Sequence, residues 1–285
     1  FLIRAAELTR TGIGFPAYYN DEVIIPSLMS RGLTLEDARD YNIIGCVEPQ
    51  KAGKTDGWHD AAFYNMLRPL EMVFSNGYEN GEKVGVQTGE VEDFTTFDEF
   101  YNAYKTQSNY FVSLLVNADN AVDQAHAERC PLPFLSSMIE SCVKRGKSMQ
   151  EGGAIYNFTG PQGFGIANVT DGLYAVKKLV FEQKKYTLKE IKLALQNNFG
   201  KDTDDRQAEK LTVKVCEKLA AEGRSLSESD ITSIYKAVKT NACTEEQKRA
   251  YNAIYEDIAA LPKYGNDDED IDAFAREVAY IYTKE

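Results

Sequence analysis

Residues 42–49 read NIIGCVEP, and this stretch carries the most informative pattern in the chain. A β-branched run meets Gly45, and Pro49 follows four residues later, which is typical of a strand that enters a tight turn. In extended backbone, residues two positions apart lie on the same side of the chain. The sequence therefore predicts that the side chains of Cys46 and Glu48 lie together beside this turn.

A sulfur atom beside a carboxylate is a poor arrangement for an ionic nucleophile, because a neighbouring negative charge raises the pKa of a thiol. It suits a sulfur that works as a neutral radical: the radical abstracts a hydrogen atom, and the carboxylate takes the proton of the adjacent hydroxyl. The alternative is a buried structural cysteine next to a surface glutamate. The spacing of Cys46 and Glu48 alone leaves both interpretations open.

Composition excludes several classes of function. The 285 residues include 44 acidic and 32 basic side chains, a formal net charge of −12. Such a surface repels phosphate backbones and anionic lipids, so we expect neither a nucleic acid nor a membrane as partner. Five widely spaced cysteines predict a reducing, cytoplasmic location without a disulfide framework. Two histidines and no CxxC motif predict that the chain has no metal site.

The first two hundred residues mix helix and strand signals. Thr96 opens a capping box before a long helix, and residues 153–158 form a second extended segment between glycines. Asp60 precedes an apolar run and is predicted to cap a helix that continues to about Ser75.

From Thr187 onward the pattern is almost wholly helical. Thr187 is the predicted cap of the first of these helices. Residues 201–262 predict three further amphipathic helices, of which Ser227 and Thr244 cap the second and the third. Few strand signals occur in this stretch, which predicts a helical insertion or a small subdomain.

Residues 45–49 resemble the cysteine loop of glycyl-radical enzymes, in the branch that eliminates water or an amine. Residues 152–163, GGAIYNFTGPQG, are similar to a second long signature of that branch. Residues 18–22 and 51–60 add further matches. A likeness this long and rich in motifs is far more specific than one Cys-x-Glu tripeptide.

The resemblance implies a helix-rich α/β fold that is part of the family's ten-stranded α/β barrel. It covers residues 1–200, with the cysteine loop around 45–49, and resumes at residues 263–285, so residues 201–262 are expected to be a helical insertion. The family's glycine loop, Arg-Val-x-Gly-Tyr, does not occur in this sequence. We therefore expect an internal fragment that is inactive alone.

The resemblance also implies roles for individual residues. Cys46 would carry the thiyl radical and Glu48 would be the base, while Asp60 aligns with an aspartate that holds the substrate's hydroxyl in glycerol and propane-1,2-diol dehydratases. No cofactor is expected to be bound. The radical would start on a glycine outside this segment, installed by an activating enzyme with S-adenosylmethionine and an iron–sulfur cluster. The full-length protein is expected to be a homodimer.

The resulting hypothesis is a glycyl-radical hydro-lyase that converts glycerol or propane-1,2-diol to an aldehyde, in the cytoplasm or inside a bacterial microcompartment. Gly45 beside Cys46 disfavours pyruvate formate-lyase chemistry, which uses two adjacent cysteines. Two alternatives stay open. One is another eliminase that cleaves a C–O, C–N or C–S bond, of the choline, hydroxyproline or isethionate type. The other is a non-catalytic homologue that serves as a scaffold or as microcompartment cargo.

Overall fold

The computed structural model describes residues 1–202, 205–240 and 243–283. The chain divides into two compact units. Unit 1 comprises Phe1–Tyr64 and Ser113–Phe164, and unit 2 comprises Asn65–Val112 and Gly165–Glu285.

Helices dominate the secondary structure, and short strands supply the remainder. In chain order the described elements are α1 (Leu2–Thr9), α2 (Asp21–Ser30), α3 (Leu35–Arg39), β1 (Asn42–Ile44), β2 (Glu48–Gln50), β3 (Thr55–Asn65), α4 (Arg68–Phe74), β4 (Tyr78–Glu79), β5 (Glu82–Lys83), α5 (Phe97–Arg129), α6 (Pro133–Ser137), α7 (Cys142–Arg145), β6 (Tyr156–Phe164), α8 (Ile166–Val176), α9 (Leu188–Gln196), α10 (Asp205–Ala221), α11 (Glu228–Lys239), α12 (Glu245–Ala260) and α13 (Glu269–Thr283). Within the residues that the structure describes, no helix has both the length and the apolar character needed to cross a bilayer.

Unit 1 contains two small pieces of sheet. Strands β1 and β2 form an antiparallel hairpin in which Ile44 pairs with Glu48, so the chain reverses over the three residues 45–47. Strands β3 and β6 are hydrogen-bonded to each other although they lie far apart in the sequence. The strand and tight turn predicted for residues 42–49 are therefore confirmed.

A partly buried ion pair ties helix α3 to its surroundings in unit 1. Thr34 caps this helix by accepting a hydrogen bond from the backbone N–H of Asp37. The Asp37 carboxylate is almost fully buried and accepts hydrogen bonds from Lys54 Nζ at 2.8 Å and from the Tyr156 hydroxyl at 2.7 Å. The Lys54 and Tyr156 hydrogen bonds hold the pKa of Asp37 below its ordinary value. Because Tyr156 belongs to β6, this contact ties the helix to that strand.

Unit 2 buries its apolar residues between helices. Leu173 on α8 and Ile271 and Val278 on α13 are fully buried. Helices α8 and α13 pack against each other. Ile191 and Ala194 on α9 form a second cluster with Ile254 on α12. Apolar residues at spacings of three and four produce such buried stripes.

The N-caps predicted for four helices are confirmed. Thr96 Oγ1 accepts a hydrogen bond from the Glu99 amide at 3.2 Å, just before α5. Thr187, Ser227 and Thr244 each form a complete capping box. The three helices expected within residues 201–262 are present as α10, α11 and α12. Their status as an insertion relative to the family stays a prediction.

The helix cap predicted at Asp60 is wrong. Residues 55–65 form β3, and the next helix begins only at Arg68, with Pro69 in its first turn. Aromatic residues in this stretch favour a strand once a partner strand is available, and β6 supplies that partner. Long-range pairing therefore outweighs the local helical pattern, and Asp60 takes a left-handed backbone conformation with φ of 57°.

We predict that two glycines of unit 2 differ sharply in their tolerance of alanine. Gly77 and Gly81 both have positive φ, but a Cβ at Gly77 would lie 2.5 Å from the Val86 carbonyl oxygen, whereas nothing lies within 4 Å at Gly81. Gly81→Ala should lower the free energy of unfolding by about 1 kcal/mol from backbone strain alone. Gly77→Ala should cost roughly 3 kcal/mol because a clash is added. Denaturant titration measures both, and equal losses would contradict the packing described for Gly77.

Candidate functional site

The cysteine turn presents Cys46 at the tip of the β1–β2 hairpin. Gly45 opens the turn with a φ of +60°, a backbone conformation that residues other than glycine rarely adopt. The Tyr19 hydroxyl donates a hydrogen bond of 2.7 Å to the carbonyl oxygen of Cys46. Cys46 is a free cysteine and is exposed. The turn is thus held by its backbone while the thiol is left accessible.

The Glu48 carboxylate folds back onto this turn. Its Oε2 atom accepts hydrogen bonds from the backbone N–H groups of Cys46 and Val47, each at 3.0 Å. These hydrogen bonds, that of Val47 above all, together with one from Gln162, hold the pKa of Glu48 below its ordinary value. A carboxylate of lowered pKa is ionised at neutral pH, which is the state a proton acceptor needs. The carboxylate therefore lies against the turn that carries Cys46, while a direct contact with the sulfur stays a prediction.

Gln162 joins Glu48 to Asp60. The Gln162 side-chain nitrogen donates to Glu48 Oε1 at 2.9 Å and to Asp60 Oδ1 through a short hydrogen bond. All three candidate residues, Cys46, Glu48 and Asp60, are thereby brought to one place in unit 1. Their catalytic and substrate-binding roles stay predictions.

Sequence reasoning missed the role of Gln162. Its only signal was its position within residues 152–163, the second signature segment. Sequence spacing did not predict these contacts, because Gln162 lies 114 residues from Glu48 and 102 residues from Asp60 along the chain. Only the pairing of β3 with β6 brings it to the hairpin.

His59 lies beside the two carboxylates. A Cβ placed on Gly57 would clash with the ring, at 2.2 Å from His59 Nε2, and one placed on Gly160 would be crowded, at 3.2 Å from Nδ1. Burial lowers the pKa of His59, although the charges of Glu48 and Asp60 act in the opposite direction. Its Nε2 atom has no hydrogen-bond partner among the described residues. With this lowered pKa the ring is neutral near pH 7, and it lies against the carboxylates without adding positive charge.

Gly45 and the position of Glu48 depend on each other. A Cβ on residue 45 would lie 2.9 Å from Glu48 Oε2, closer than real Cβ contacts allow. A second cysteine at this position would therefore displace the carboxylate from the turn.

A further carboxyl group with a shifted pKa, that of Asp56, lies on β3, the strand that carries Asp60. Burial, and secondarily the negative charge of Asp123, raise the pKa of Asp56 to about 6. The neighbouring Trp58 packs edge-on against His126 with ring centroids 5.4 Å apart.

In the described part of the chain, no group of three or more Cys, His, Asp or Glu residues is arranged to hold a metal ion. The chemistry available at the hairpin is that of one thiol, two carboxylates and an amide.

This chain belongs to the pyruvate formate lyase-like family, whose family model matches residues 1–285. The glycyl-radical enzyme resemblance of the sequence and its helix-rich α/β fold are confirmed by this match and by the structures below. The complete ten-stranded barrel stays a prediction.

Known relatives are dehydratases and lyases. A structure described as 1,2-propanediol dehydration in Roseburia inulinivorans is 59% identical, with a TM-score of 0.84 over 99% of this chain and 34% of that one. The B12-independent glycerol dehydratase from Clostridium butyricum, bound to glycerol, is 47% identical, with a TM-score of 0.75 over 99% of this chain and 30% of that one. The (2S)-3-sulfopropanediol dehydratase of Klebsiella oxytoca is 40% identical over 199 residues, 69% of this chain and 24% of the relative. The chain thus spans about a quarter to a third of these relatives.

We predict that Gly45→Ala displaces the Glu48 carboxylate without unfolding the hairpin, because the clashing atom ends a flexible side chain. The amides of Cys46 and Val47 then lose their acceptor, and their hydrogen exchange should accelerate about tenfold. Gly53→Ala is the matched control, since Gly53 has a φ of +72° but nothing within 4 Å of its added Cβ. Unchanged exchange at residues 46 and 47 in Gly45→Ala would contradict this account of the turn.

The raised pKa of Asp56 predicts that the free energy of unfolding falls as the pH rises. Because its pKa is raised from 3.8 to about 6, the folded state binds this proton more tightly than the unfolded state. The resulting stabilisation is full below pH 3.8 and disappears as the pH rises through about 6. Asp56→Asn should remove this component, about 1 kcal/mol after allowance for the solvent screening of a half-buried group.

Unfolding free energies measured between pH 3.5 and about 7 test this prediction. Asp37→Asn is the contrasting variant: the pKa of Asp37 is lowered, so its stabilisation is present above pH 3.8 and lost as the pH falls. If the wild type and Asp56→Asn had parallel pH profiles, the protonation assigned to Asp56 would be wrong.

Proposed function

We propose that this protein acts as a glycyl-radical hydro-lyase that dehydrates propane-1,2-diol or glycerol to an aldehyde. The observation that carries the proposal is the Glu48 carboxylate, bound to the cysteine turn through Oε2 and joined to Asp60 through Gln162. The 59% and 47% identities to structures concerned with propanediol dehydration and with bound glycerol support this choice of substrate. Because the chain spans about a third of those proteins, the activity is proposed for the intact protein.

The proposed reaction begins at Cys46. Its sulfur, as a thiyl radical, takes a hydrogen atom from the substrate carbon that bears the terminal hydroxyl, so that an S–H bond forms and a C–H bond breaks. Glu48 accepts the proton of that hydroxyl. General base catalysis of this kind contributes about 10²- to 10⁴-fold to a rate.

Water then leaves from the neighbouring carbon. Asp60 orients that hydroxyl, which departs with the bonding electrons and takes up one proton, equivalent to the proton that Glu48 accepted. The product radical recovers a hydrogen atom from the Cys46 thiol, and an aldehyde is released. Sulfur and both carboxylates end the cycle as they began it, so the overall reaction is diol to aldehyde plus water.

The protein glycyl radical supplies the unpaired electron. We propose that it resides on a glycine outside residues 1–285, and that an activating enzyme with S-adenosylmethionine and an iron–sulfur cluster installs it. Radical chemistry requires that water be excluded from the reacting atoms. The intact protein would enclose the exposed Cys46 turn, as a homodimer in the cytoplasm or in a microcompartment.

A second candidate function is the same dehydration of a diol that carries a sulfonate group on its third carbon. The 40% identity to a sulfopropanediol dehydratase favours it. Against it stand the two carboxylates of the site, Glu48 and Asp60, because an anionic sulfonate near them would be repelled. We therefore place the uncharged diols first.

The prediction is that the intact protein, activated without oxygen, converts propane-1,2-diol and glycerol faster than choline, isethionate, trans-4-hydroxyproline or sulfopropanediol. Cys46→Ala should abolish turnover because no sulfur remains to carry the radical. Glu48→Gln should keep the glycyl radical and lose about 10²- to 10⁴-fold in kcat, since an amide does not accept the proton. Aldehyde assays and electron paramagnetic resonance measure turnover and radical content separately.

Cys130→Ala is the matched control, since Cys130 is also an exposed free cysteine but lies outside the hairpin. It should retain wild-type turnover. Wild-type rates in Glu48→Gln would refute the assignment of the base. A stable glycyl radical without conversion of any substrate in the panel would favour the non-catalytic homologue instead.

A further inference from the structure

The Gln162 carboxamide divides its two N–H donors between two different carboxylates. One N–H binds Glu48 Oε1 at 2.9 Å, and the other binds Asp60 Oδ1. A carboxamide nitrogen has two donors, so these contacts occupy its full donor capacity. Asp60 lies on β3 and Gln162 on its partner strand β6, whereas Glu48 begins β2 of the cysteine hairpin. One side chain therefore links the hairpin to the β3–β6 pair.

We propose that Gln162 is a positioning residue that sets the separation of Glu48 and Asp60 and leaves Glu48 Oε1 as the atom that receives the substrate's proton. This inference rests on the proposed function, because it takes Glu48 as the base and Asp60 as the group that orients the leaving hydroxyl. Gln162 acts through these two carboxylates and makes no bond to the reacting atoms.

The two carboxylates need such a bridge. Like charges that face one site repel each other, and a neutral donor between them offsets that repulsion. A glutamine can donate to both at once, whereas a glutamate of the same size would add a third negative charge. The amide at residue 162 thus binds both carboxylates without adding charge, and its hydrogen bond helps to lower the pKa of Glu48.

Hydrogen-bond capacity identifies the reactive oxygen of Glu48. Each carboxylate oxygen offers about two acceptor positions. Oε2 accepts from the amides of Cys46 and Val47, which fills both of its acceptor positions, whereas Oε1 accepts from the Gln162 side chain. Oε1, which faces Asp60 across the bridge, is therefore the oxygen better placed to accept a further donor. The substrate's hydroxyl would meet the base there.

The groups around Glu48 fix how its titration should respond. Cys46 lies on the same hairpin and Tyr19 binds that turn, while His59 and Asp60 face it from β3. Burial keeps the pKa of His59 low, so it adds no positive charge near neutral pH. The hydrogen bond from Gln162 is one of the causes that lower the pKa of Glu48. Its loss should raise that pKa.

Gln162→Leu and Gln162→Glu test the proposal in the intact, activated protein. Both should retain the glycyl radical, lose about 100-fold in kcat because the carboxylates are misplaced, and change KM less than kcat. In Gln162→Leu the acidic limb of the kcat–pH profile should move to higher pH, which a merely structural role would not cause. Gln150→Leu, in the same unit but bound to the Leu132 amide, is the matched control and should keep the wild-type profile.

A structure of Gln162→Leu supplies a readout that does not depend on turnover. The distance from Glu48 Oε1 to Asp60 Oδ1 should increase relative to the wild type. Wild-type kcat and pH profile in both variants would overturn the proposal, and so would an unchanged carboxylate geometry in the variant structure. The kinetic arm uses whichever substrate of the panel the wild type converts.

Failure of this inference is distinguishable from failure of the proposed function. If Cys46→Ala and Glu48→Gln are inactive on diols but Gln162→Leu is normal, the proposed function stands and the role of Gln162 is refuted. If the wild type converts no diol, the proposed function fails, and the variant structure alone decides the positioning role.

Discussion

The hydrogen bonds from the backbone amides of Cys46 and Val47 to the Glu48 carboxylate are the interaction on which the site depends. They fold the side chain back over the turn that carries the thiol, and they favour the ionised carboxylate. Both consequences follow from one local geometry, in which the Glu48 carboxylate accepts hydrogen bonds from the backbone amides of the three-residue turn. The position and the ionisation of the Glu48 carboxylate are therefore set together.

That geometry constrains the neighbouring residues. Residue 45 must lack a Cβ if the Glu48 carboxylate is to stay on the turn, because Oε2 occupies the space that a side chain would need. A second cysteine at this position would meet the same obstacle. Gly45 therefore does more than permit the turn: it leaves the space that the Glu48 carboxylate occupies.

The surroundings of the hairpin balance charge against burial. Gln162 supplies neutral donors to two carboxylates, and the His59 ring lies beside them with a lowered pKa. Further along β3, burial favours the neutral form of Asp56. Negative charge is thus concentrated on Glu48 and Asp60, where hydrogen bonds support it.

The sequence by itself determined the strand and turn at residues 42–49 and the caps at Thr96, Thr187, Ser227 and Thr244, because these depend on neighbouring residues and local hydrogen bonds. Its long signature segments also identified the family. Only the tertiary structure decided that residues 55–65 form a strand and that Gln162 bridges Glu48 and Asp60. Both facts follow from the pairing of β3 with β6, two segments about a hundred residues apart, and no local pattern records such a pairing.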